Sequence, residues 1–320
     1  MRLAQNLLQK ELDIFEQHFK INTSSRTPLV DRIMRFIIKR KGKQMRPIFV
    51  LLSAKLNGNV NDAAYRAASM IELLHTATLV HDDIVDDANQ RRGFFSINAL
   101  FKNKVAVLIG DYLLAKGLLL AVEHKEFEIL EIVSKAVKEM SEGELLQIEK
   151  TRKLNIQEDV YFEIIRSKTA SLLAASCAAG AFAASRSLEQ AEQFRLFGEY
   201  LGISFQIKDD LFDYGQDNVG KPLGIDIKEK KLTLPLIYTL NTIDEATRKK
   251  IIYIIKNQNT NKSKVNEVIE IVKNNGGIAY AQKMMKEYQD KALDILNTLP
   301  DSEARTAMFD LVDYVTKRKH

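Results

Sequence analysis

Residues 61–87 are apolar at positions all around a helix, and this constrains the fold more than any other feature of the chain. Asn61 or Asp62 is a suitable N-cap for such a helix, which would span about 39 Å at 1.5 Å per residue. A helix without a polar face has to be buried. We therefore predict a buried helix over this segment. Its apolar positions are Ala64, Ala67, Met70, Ile71, Leu73, Leu74, Ala77, Leu79, Val80, Ile84 and Val85.

Helical periodicity dominates the rest of the chain, and no segment shows the alternation of period two that is typical of strands. Only 14 Gly and 5 Pro occur, and 46% of the residues are hydrophobic, enough for a large core. We predict one all-α domain over residues 1–320. Further helices are expected at about 104–123, 127–150, 156–184, 187–213, 233–256, 262–274, 277–298 and 302–318, and functional loops at 40–47, 88–97 and 214–232.

The charge and cysteine content exclude few functions but indicate a compartment. A net charge of +5 suits nucleic acid, an anionic membrane surface or phosphorylated small molecules. The only cysteine, Cys177, cannot form a disulfide framework, which fits a reducing compartment. The N-terminus lacks the pattern of a signal peptide. The stretch 170–184, predicted to be the most apolar, is too short to span a membrane. We expect a cytoplasmic protein without a transmembrane segment.

Two acidic clusters, each containing D-D-x-x-D, lie at the ends of predicted apolar helices. The first is Asp82, Asp83, Asp86 and Asp87, and the second is Asp209, Asp210 and Asp213. Within each cluster the first and last aspartates of the motif are i and i+4, so they share a face. Like charges there repel unless a cation lies between them. Mg²⁺ prefers one or two carboxylates together with water and phosphate oxygens. Two such clusters facing each other would hold a diphosphate through metal ions.

Basic residues near these clusters favour a phosphorylated ligand. Arg91 and Arg92 follow the first cluster, and Lys221 and Lys231 follow the second. The segment from Gly42 to Arg46 brings two cations to the start of a helix, where backbone N–H groups also favour phosphate. Lys168 lies in an apolar helix, where an ammonium group is costly without an anion.

Polar residues share helix faces with the aspartates. His75 and Leu79 precede Asp82 and Asp86 on one stripe, and Gln206 precedes Asp209 and Asp213 on another. His75 fits an anion site, although a buried histidine is more often structural.

The chain resembles the trans-isoprenyl diphosphate synthases. The resemblance covers residues from about 30 to the end, and it rests on the motifs GKQMRP, HTATLVHDDIVDDANQRRG, KTASL, FQIKDDLFDY, GKPLGIDIKEKKLTLP and DYVTKRKH in that order. It implies a helical bundle around a central cavity, a homodimer, and elongation of an allylic diphosphate, such as farnesyl diphosphate, with isopentenyl diphosphate. It also implies two or three Mg²⁺ ions bound with the allylic diphosphate, no nucleic acid, and peripheral membrane contact for product release.

The resemblance assigns roles by motif. Asp82, Asp86 and Asp209 would be metal ligands, and Asp83, Asp210 and Asp213 would support them directly or through water. The allylic diphosphate would be held by Arg91, Lys168, Thr169, Gln206, Lys221 and Lys231. The isopentenyl diphosphate would be held by Gly42, Lys43, Arg46, His75 and Arg92, with Arg318 closing over it.

The residues four and five positions before Asp82 lie one helical turn below the first predicted metal ligand, so we expect them to line the top of the channel for the growing product. These are Thr78 and Ala77, both small. Family members with short products tend to carry an aromatic residue there, so we predict a long product, from hexaprenyl to decaprenyl diphosphate. The resemblance implies that this product supplies a quinone side chain. The alternative is that Ala77 is small only to let a helix pack closely, and that Phe127 or Phe182 blocks the channel so that the product is short.

Other functions are also compatible with parts of the sequence. A solvated helix end explains one acidic cluster but not two. A non-catalytic subunit of a heteromeric synthase would be expected to lose aspartates. A terpene cyclase or a head-to-head condensing enzyme does not need Lys43, Arg46 and His75. A basic nucleic-acid-binding protein leaves the acidic clusters unexplained.

Overall fold

In a computed structural model of the chain, helices form nearly all of the regular structure in the described residues. Those are residues 1–320 without 40–41, 43, 92–93, 155–156, 216–222 and 318–320, and without the side chains of Arg91, Arg152, Lys153 and Lys317. The predicted all-α class is confirmed. The helices are α1 Arg2–Leu7, α2 Gln9–Thr23, α3 Pro28–Lys39, α4 Met45–Leu56, α5 Asp62–Val85, α6 Ile97–Glu123, α7 Phe127–Lys153, α8 Glu158–Ile165, α9 Ser171–Ser185, α10 Leu188–Phe212, α11 Ile225–Lys228, α12 Leu234–Thr242, α13 Glu245–Asn257, α14 Lys262–Asn274, α15 Gly277–Asn297 and α16 Glu303–Lys317.

The loop predicted at 88–97 contains a small hairpin. Strand β1, Gln90–Arg91, pairs antiparallel with β2, Phe94–Phe95. Two residues per strand are too few for the period-two pattern to be visible in the sequence.

Three predicted helices differ from the observed ones. The helix expected at 233–256 is two helices, because the carboxylate of Asp244 accepts hydrogen bonds from the N–H groups of Ala246 and Thr247 and starts α13. The segment 156–184 contains a π-helix, Arg166–Ala170, between α8 and α9. Helix α6 begins earlier than expected and is broken at Lys102, where φ is 71°.

The chain divides into two compact units. Unit 1 contains residues 1–137, 175–195 and 301–308, and unit 2 contains residues 138–174, 196–300 and 309–320. Whether the chain acts as the single predicted domain stays a prediction.

Helix α5 is largely buried in unit 1, as predicted. Of its 24 residues, 14 are buried. The Asn61 side chain caps it by accepting a hydrogen bond from the N–H of Ala64, and it also donates to the carbonyl of Ala183 in α9. Glu126, in the turn before α7, is buried between the guanidinium groups of Arg66 and Arg186. These contacts fix the N-terminal end of α5.

The core of unit 2 is built from α8, the π-helix, the end of α10, and α11 to α15. Tyr214, Ile227, Leu234 and Val268 are fully buried in it. The Ser204 hydroxyl of α10 donates to the carbonyl of Met285 in α15 over 2.9 Å. Helix α10 is thereby attached to the core just before the second acidic cluster.

Among the described residues, helix α6 alone is long and apolar enough to cross a membrane, and 39% of its most apolar window is buried. The stretch predicted to be most apolar, residues 170–184, forms the shorter helix α9 instead. Leu108, Leu119 and Val122 of α6 are each at least half exposed.

Candidate active site

The first acidic cluster lies at the C-terminal end of α5. Helix α5 ends at Val85, and the N–H of Asp86 donates to the carbonyl of Asp82 over 2.8 Å, so these two aspartates lie one turn apart. Both are exposed, whereas Asp83 is buried. The negative end of a helix dipole disfavours carboxylates. This position therefore favours a bound cation.

The hairpin after α5 is tied to the helix end by side chains that the sequence patterns do not identify. The carbonyl of Asp83 accepts hydrogen bonds from the N–H of Ala88 and from Nδ2 of Asn98, at 2.9 and 3.1 Å. The Ser96 hydroxyl donates to the carbonyl of Ala88 over 2.7 Å. Asn98 and Ser96 thus hold the turn that carries Asp86.

A cavity in unit 1 contains His75, which is predicted to bind isopentenyl diphosphate. Its polar lining also includes Glu72 and Asp83, and its walls include aromatic rings such as Phe36 and Phe94. His75 is 9% exposed. The first half of the predicted stripe, His75 and Leu79, lines this cavity. Its second half, Asp82 and Asp86, is exposed and does not, and the acidic residues of α5 in the lining are Glu72 and Asp83.

The other predicted residues of the isopentenyl diphosphate site are only partly described. Gly42 is partly buried just before α4, and Arg46 lies in the first turn of that helix, as expected. Lys43, Arg92 and Arg318 lie outside the described residues.

The predicted channel residues belong to α5. Ala77 is fully buried, and the Thr78 hydroxyl donates to the carbonyl of His75 over 2.8 Å. The part they play in product length stays a prediction.

The second acidic cluster lies at the end of α10, in unit 2. Helix α10 ends at Phe212, and Asp209 is exposed, whereas Asp210 and Asp213 are buried. A neighbouring cavity of about 140 Å³ brings together five residues from the predicted site: Lys168, Thr169, Gln206, Asp210 and Lys231. Four different segments of the sequence contribute to this cavity.

A chain of hydrogen bonds connects most of these side chains. The Thr169 hydroxyl donates to Oε1 of Gln206 over 2.8 Å, and Nε2 of Gln206 donates to Oδ1 of Asp210 over 2.9 Å. The Tyr161 hydroxyl donates to Oδ2 of Asp210 over 2.7 Å. Tyr161 is not a member of any predicted site, and only its position seven residues before Lys168 in a helix relates it to one.

Asp213 and Asp226 add two further carboxyl groups near Asp210. Oδ1 of Asp213 accepts from the N–H of Ile225 at 2.7 Å, and Oδ2 accepts from the N–H of Asp226 at 3.1 Å. Asp226 itself lines the cavity, although the sequence patterns do not identify it. Burial and the charge of Asp226 raise the pKa of Asp210 to about 8. Burial and the charge of Asp213 raise the pKa of Asp226 to about 7.

The π-helix determines where Lys168 and Thr169 point. Single turns of π-helix within a helical segment are common at functional sites. The Lys168 ammonium forms an ion pair with Glu144 of α7 and lies 3.4 Å from Oε1 of Gln147. Gly143 makes this possible, because a Cβ there would lie 2.8 Å from the Cβ of Ser167. The ammonium predicted to be costly in an apolar helix is thus paired with a carboxylate.

The remaining allylic-site residues are less fully described. Lys231 forms an ion pair with Glu229 over 2.5 Å and lines the cavity. Lys221 and the side chain of Arg91 lie outside the described residues.

Each cluster by itself fits a metal ion that is bound together with a ligand. No group of three or more His, Cys, Asp or Glu side chains among the described residues is arranged as a complete metal site. An ion that takes only one or two carboxylates, with water and phosphate as its other ligands, needs no such group. Burial and the neighbouring carboxylates raise the pKa values of Asp210 and Asp226, and a bound cation would oppose this shift by favouring the ionised forms.

Comparison with known proteins identifies the family. Residues 27–272 match the polyprenyl synthetase family model. A relative from Rhodobacter capsulatus, all-trans-nonaprenyl-diphosphate synthase (geranyl-diphosphate specific), is 38% identical over 92% of this chain and 91% of its own.

Solved structures agree with this match. The decaprenyl diphosphate synthase of Rhodobacter capsulatus superposes with a TM-score of 0.93 at 34% identity, covering 100% of this chain and 99% of that one. The geranylgeranyl pyrophosphate synthase of Bacteroides thetaiotaomicron is 42% identical with a TM-score of 0.83, covering 99% of this chain and 98% of that one. Members of the family use a divalent metal ion and act on allylic and isopentenyl diphosphates. The chain therefore belongs to the polyprenyl synthetase family and is a trans-prenyltransferase.

Proposed function

We propose that this chain adds isopentenyl diphosphate units head to tail to an allylic diphosphate such as farnesyl diphosphate. The product is an all-trans polyprenyl diphosphate, from hexaprenyl to decaprenyl, that supplies a quinone side chain. The observation that carries the proposal is the convergence of Lys168, Thr169, Gln206 and Lys231 on one cavity with the second acidic cluster.

We further propose Mg²⁺ as the metal, with two or three ions bound together with the allylic diphosphate. Asp82, Asp86 and Asp209 are exposed at helix ends and would be ligands. When bound, Mg²⁺ neutralises the negative charge that develops on the leaving diphosphate.

The chain's own residues hold the diphosphates and stabilise their charge. The Lys168 ammonium is already placed at the cavity by Glu144 and Gln147, so little reorganisation is needed when phosphate oxygens arrive. The Thr169 hydroxyl and the Gln206 amide are oriented by Asp210. No Asp or His is an obvious base for the proton lost after condensation, and the released diphosphate is the proposed acceptor.

A homodimer is the proposed assembly. Several apolar side chains of α6 are exposed, and patches of exposed apolar side chains mark interaction sites. They are Leu100, Val107, Leu108, Leu118, Leu119 and Val122, with Phe127 at the start of α7. A second copy that covers this surface would account for the apolar character of α6 in a cytoplasmic enzyme. The membrane contact proposed for product release would then lie elsewhere.

A short product is the second candidate. Ala77 is fully buried, which fits a small residue required for close packing as well as one that lines a channel. A geranylgeranyl pyrophosphate synthase is also among the similar structures. Under this candidate the same reaction stops early.

Product analysis distinguishes these candidates and the other classes. The chain is incubated with farnesyl diphosphate, Mg²⁺ and radiolabelled isopentenyl diphosphate, and the products are separated by chain length. We expect products of hexaprenyl length or longer. Geranylgeranyl diphosphate alone would establish the short-chain candidate. A cyclised or head-to-head product, or no incorporation, would contradict the proposed reaction.

A further inference from the structure

The Tyr161 hydroxyl lies behind the second acidic cluster, in the wall of the cavity. Tyr161 is 4% exposed, and its hydroxyl donates to Oδ2 of Asp210 over 2.7 Å. We propose that Tyr161 is a positioning residue for the metal-bound allylic diphosphate and acts through Asp210, Gln206 and Thr169. This inference rests on the proposed function, since it concerns the same substrate and the same cavity.

When Asp210 is ionised, the form that a bound cation favours, the hydrogen bonds that link Tyr161, Asp210, Gln206 and Thr169 can run in only one direction. A carboxylate only accepts, and both oxygens of Asp210 are occupied, one by the Tyr161 hydroxyl and the other by Nε2 of Gln206. The Gln206 amide is therefore oriented with its nitrogen toward Asp210 and its carbonyl oxygen toward Thr169. The Thr169 hydroxyl must then donate its proton to Gln206.

This direction determines what Thr169 offers to a ligand. Its single proton is used within the protein, so its oxygen presents lone pairs to the cavity, which Thr169 lines. Lone pairs suit groups that donate, such as metal-bound water, rather than bare phosphate oxygens. Tyr161 thereby influences a ligand-facing atom that it does not touch.

The same hydrogen bonds also fix the spacing between α10 and the segment that contains α8 and the π-helix. Tyr161 precedes the π-helix and Thr169 lies within it, while Gln206 and Asp210 occupy one face of α10. The hydrogen bonds from Tyr161 to Asp210 and from Thr169 to Gln206 thus attach residues 161–169 to α10 at two points. Without the Tyr161 hydroxyl, Asp210 accepts one hydrogen bond fewer. Its carboxylate and the Gln206 amide can then both rotate.

The substitution Tyr161→Phe tests the proposal, because it removes one oxygen and keeps the ring. Binding of farnesyl thiodiphosphate, an unreactive analogue, is measured calorimetrically in the presence of Mg²⁺. We expect the Kd to rise about tenfold, the magnitude typical of a lost hydrogen bond to a charged group. The KM for farnesyl diphosphate should rise in parallel, and the KM for isopentenyl diphosphate should stay within about twofold.

Tyr280→Phe is the matched control. The Tyr280 hydroxyl donates to the carboxylate of Glu158 over 2.5 Å, and Glu158 belongs to the same helix as Tyr161 but does not line the cavity. Its substitution should lower thermal stability without changing the Kd of the analogue. An unchanged Kd in Tyr161→Phe, or the same rise in both variants, would overturn the proposal.

A double-mutant cycle provides a second test. If Tyr161 acts through Thr169, the loss of affinity in Tyr161→Phe combined with Thr169→Val should be smaller than the sum of the single losses. Additive losses would contradict the connection. Because the titration needs no turnover, it tests this inference separately. Failure of the unmodified enzyme to incorporate isopentenyl diphosphate would instead contradict the proposed function.

Discussion

Gly143 of α7 lies against Ser167 of the π-helix so closely that an added Cβ would be 2.8 Å from the Ser167 Cβ and 3.0 Å from the backbone nitrogen of Lys168. The atoms it would meet are near the backbone and cannot move aside as the tip of a flexible side chain could. The placement of Lys168 therefore depends on the absence of a side chain on a neighbouring helix.

Substituting Gly143→Ala should displace the π-helix and impair the allylic site. We expect kcat/KM for farnesyl diphosphate to fall by about tenfold or more, because a small misplacement of binding groups is costly in catalysis. Steady-state kinetics with each substrate varied in turn provides the measurement.

Gly117→Ala is the control for this prediction. A Cβ at Gly117 would lie 3.4 Å from side-chain atoms of Leu74, which is ordinary contact. Replacing a helical glycine in such a place should stabilise the chain by about 0.5 to 1 kcal/mol and leave activity unchanged. Equal activity of the two variants would show that the close contact at Gly143 has no catalytic consequence.

The pH dependence of stability without metal follows from the raised pKa values. The pKa of Asp210 rises from its usual value of 3.8 to about 8, and the pKa of Asp226 rises to about 7. A carboxyl group whose pKa is raised on folding stabilises the folded state most below its pKa in the unfolded chain. That stabilisation is lost as the pH rises through its pKa in the folded protein. The Tm of the metal-free protein should therefore fall between about pH 4 and about pH 8.

Mg²⁺ with farnesyl thiodiphosphate should counter this loss, because bound cations favour the ionised carboxylates. The increase in Tm caused by the two ligands should be larger near pH 8 than near pH 6, as followed by thermal unfolding. Asp210→Asn, which removes one titrating group, should flatten the metal-free profile. A metal-free Tm that rises over this pH range would contradict the assignment of raised pKa values.

The two diphosphate sites should separate kinetically. Arg46→Ala and Lys43→Ala should raise the KM for isopentenyl diphosphate more than the KM for the allylic substrate, while Lys231→Ala should do the opposite. The reason is that each cation neutralises the phosphate oxygens of one substrate. Initial rates over a grid of both substrate concentrations measure the two KM values of the unmodified enzyme and of each variant. If all three variants weaken both substrates equally, the division into two sites is wrong.

Chain length should respond to Ala77→Tyr. If Ala77 lines the channel, the added ring would shorten the products to farnesyl or geranylgeranyl diphosphate, as seen by chromatography. Because Ala77 is fully buried, a ring there also risks disturbing α5, so thermal unfolding of the variant accompanies the assay. A stable variant with unchanged long products would place the limit on chain length elsewhere.

Much of the site was predictable because it depends on local patterns. The apolar run at 61–87 predicts a buried helix, and the same periodicity places both acidic clusters at helix ends. The π-helix and the role of Gly143 were not predictable, since they depend on contacts with a different helix. Tyr161 is one of several aromatic residues in apolar segments, and only the hydrogen bond to Asp210 distinguishes it.

Incorporation of radiolabelled isopentenyl diphosphate tests the central claim most directly when the exposed aspartates are altered. Asp82→Ala and Asp209→Ala should fold normally, because both side chains are exposed. Each should lose turnover by several orders of magnitude, while Asp62→Ala, an exposed aspartate at the other end of α5, should not. EDTA should abolish incorporation by the unmodified enzyme, and Mg²⁺ should restore it. Full incorporation in EDTA, or by either aspartate variant, would contradict metal-dependent chain elongation at these clusters.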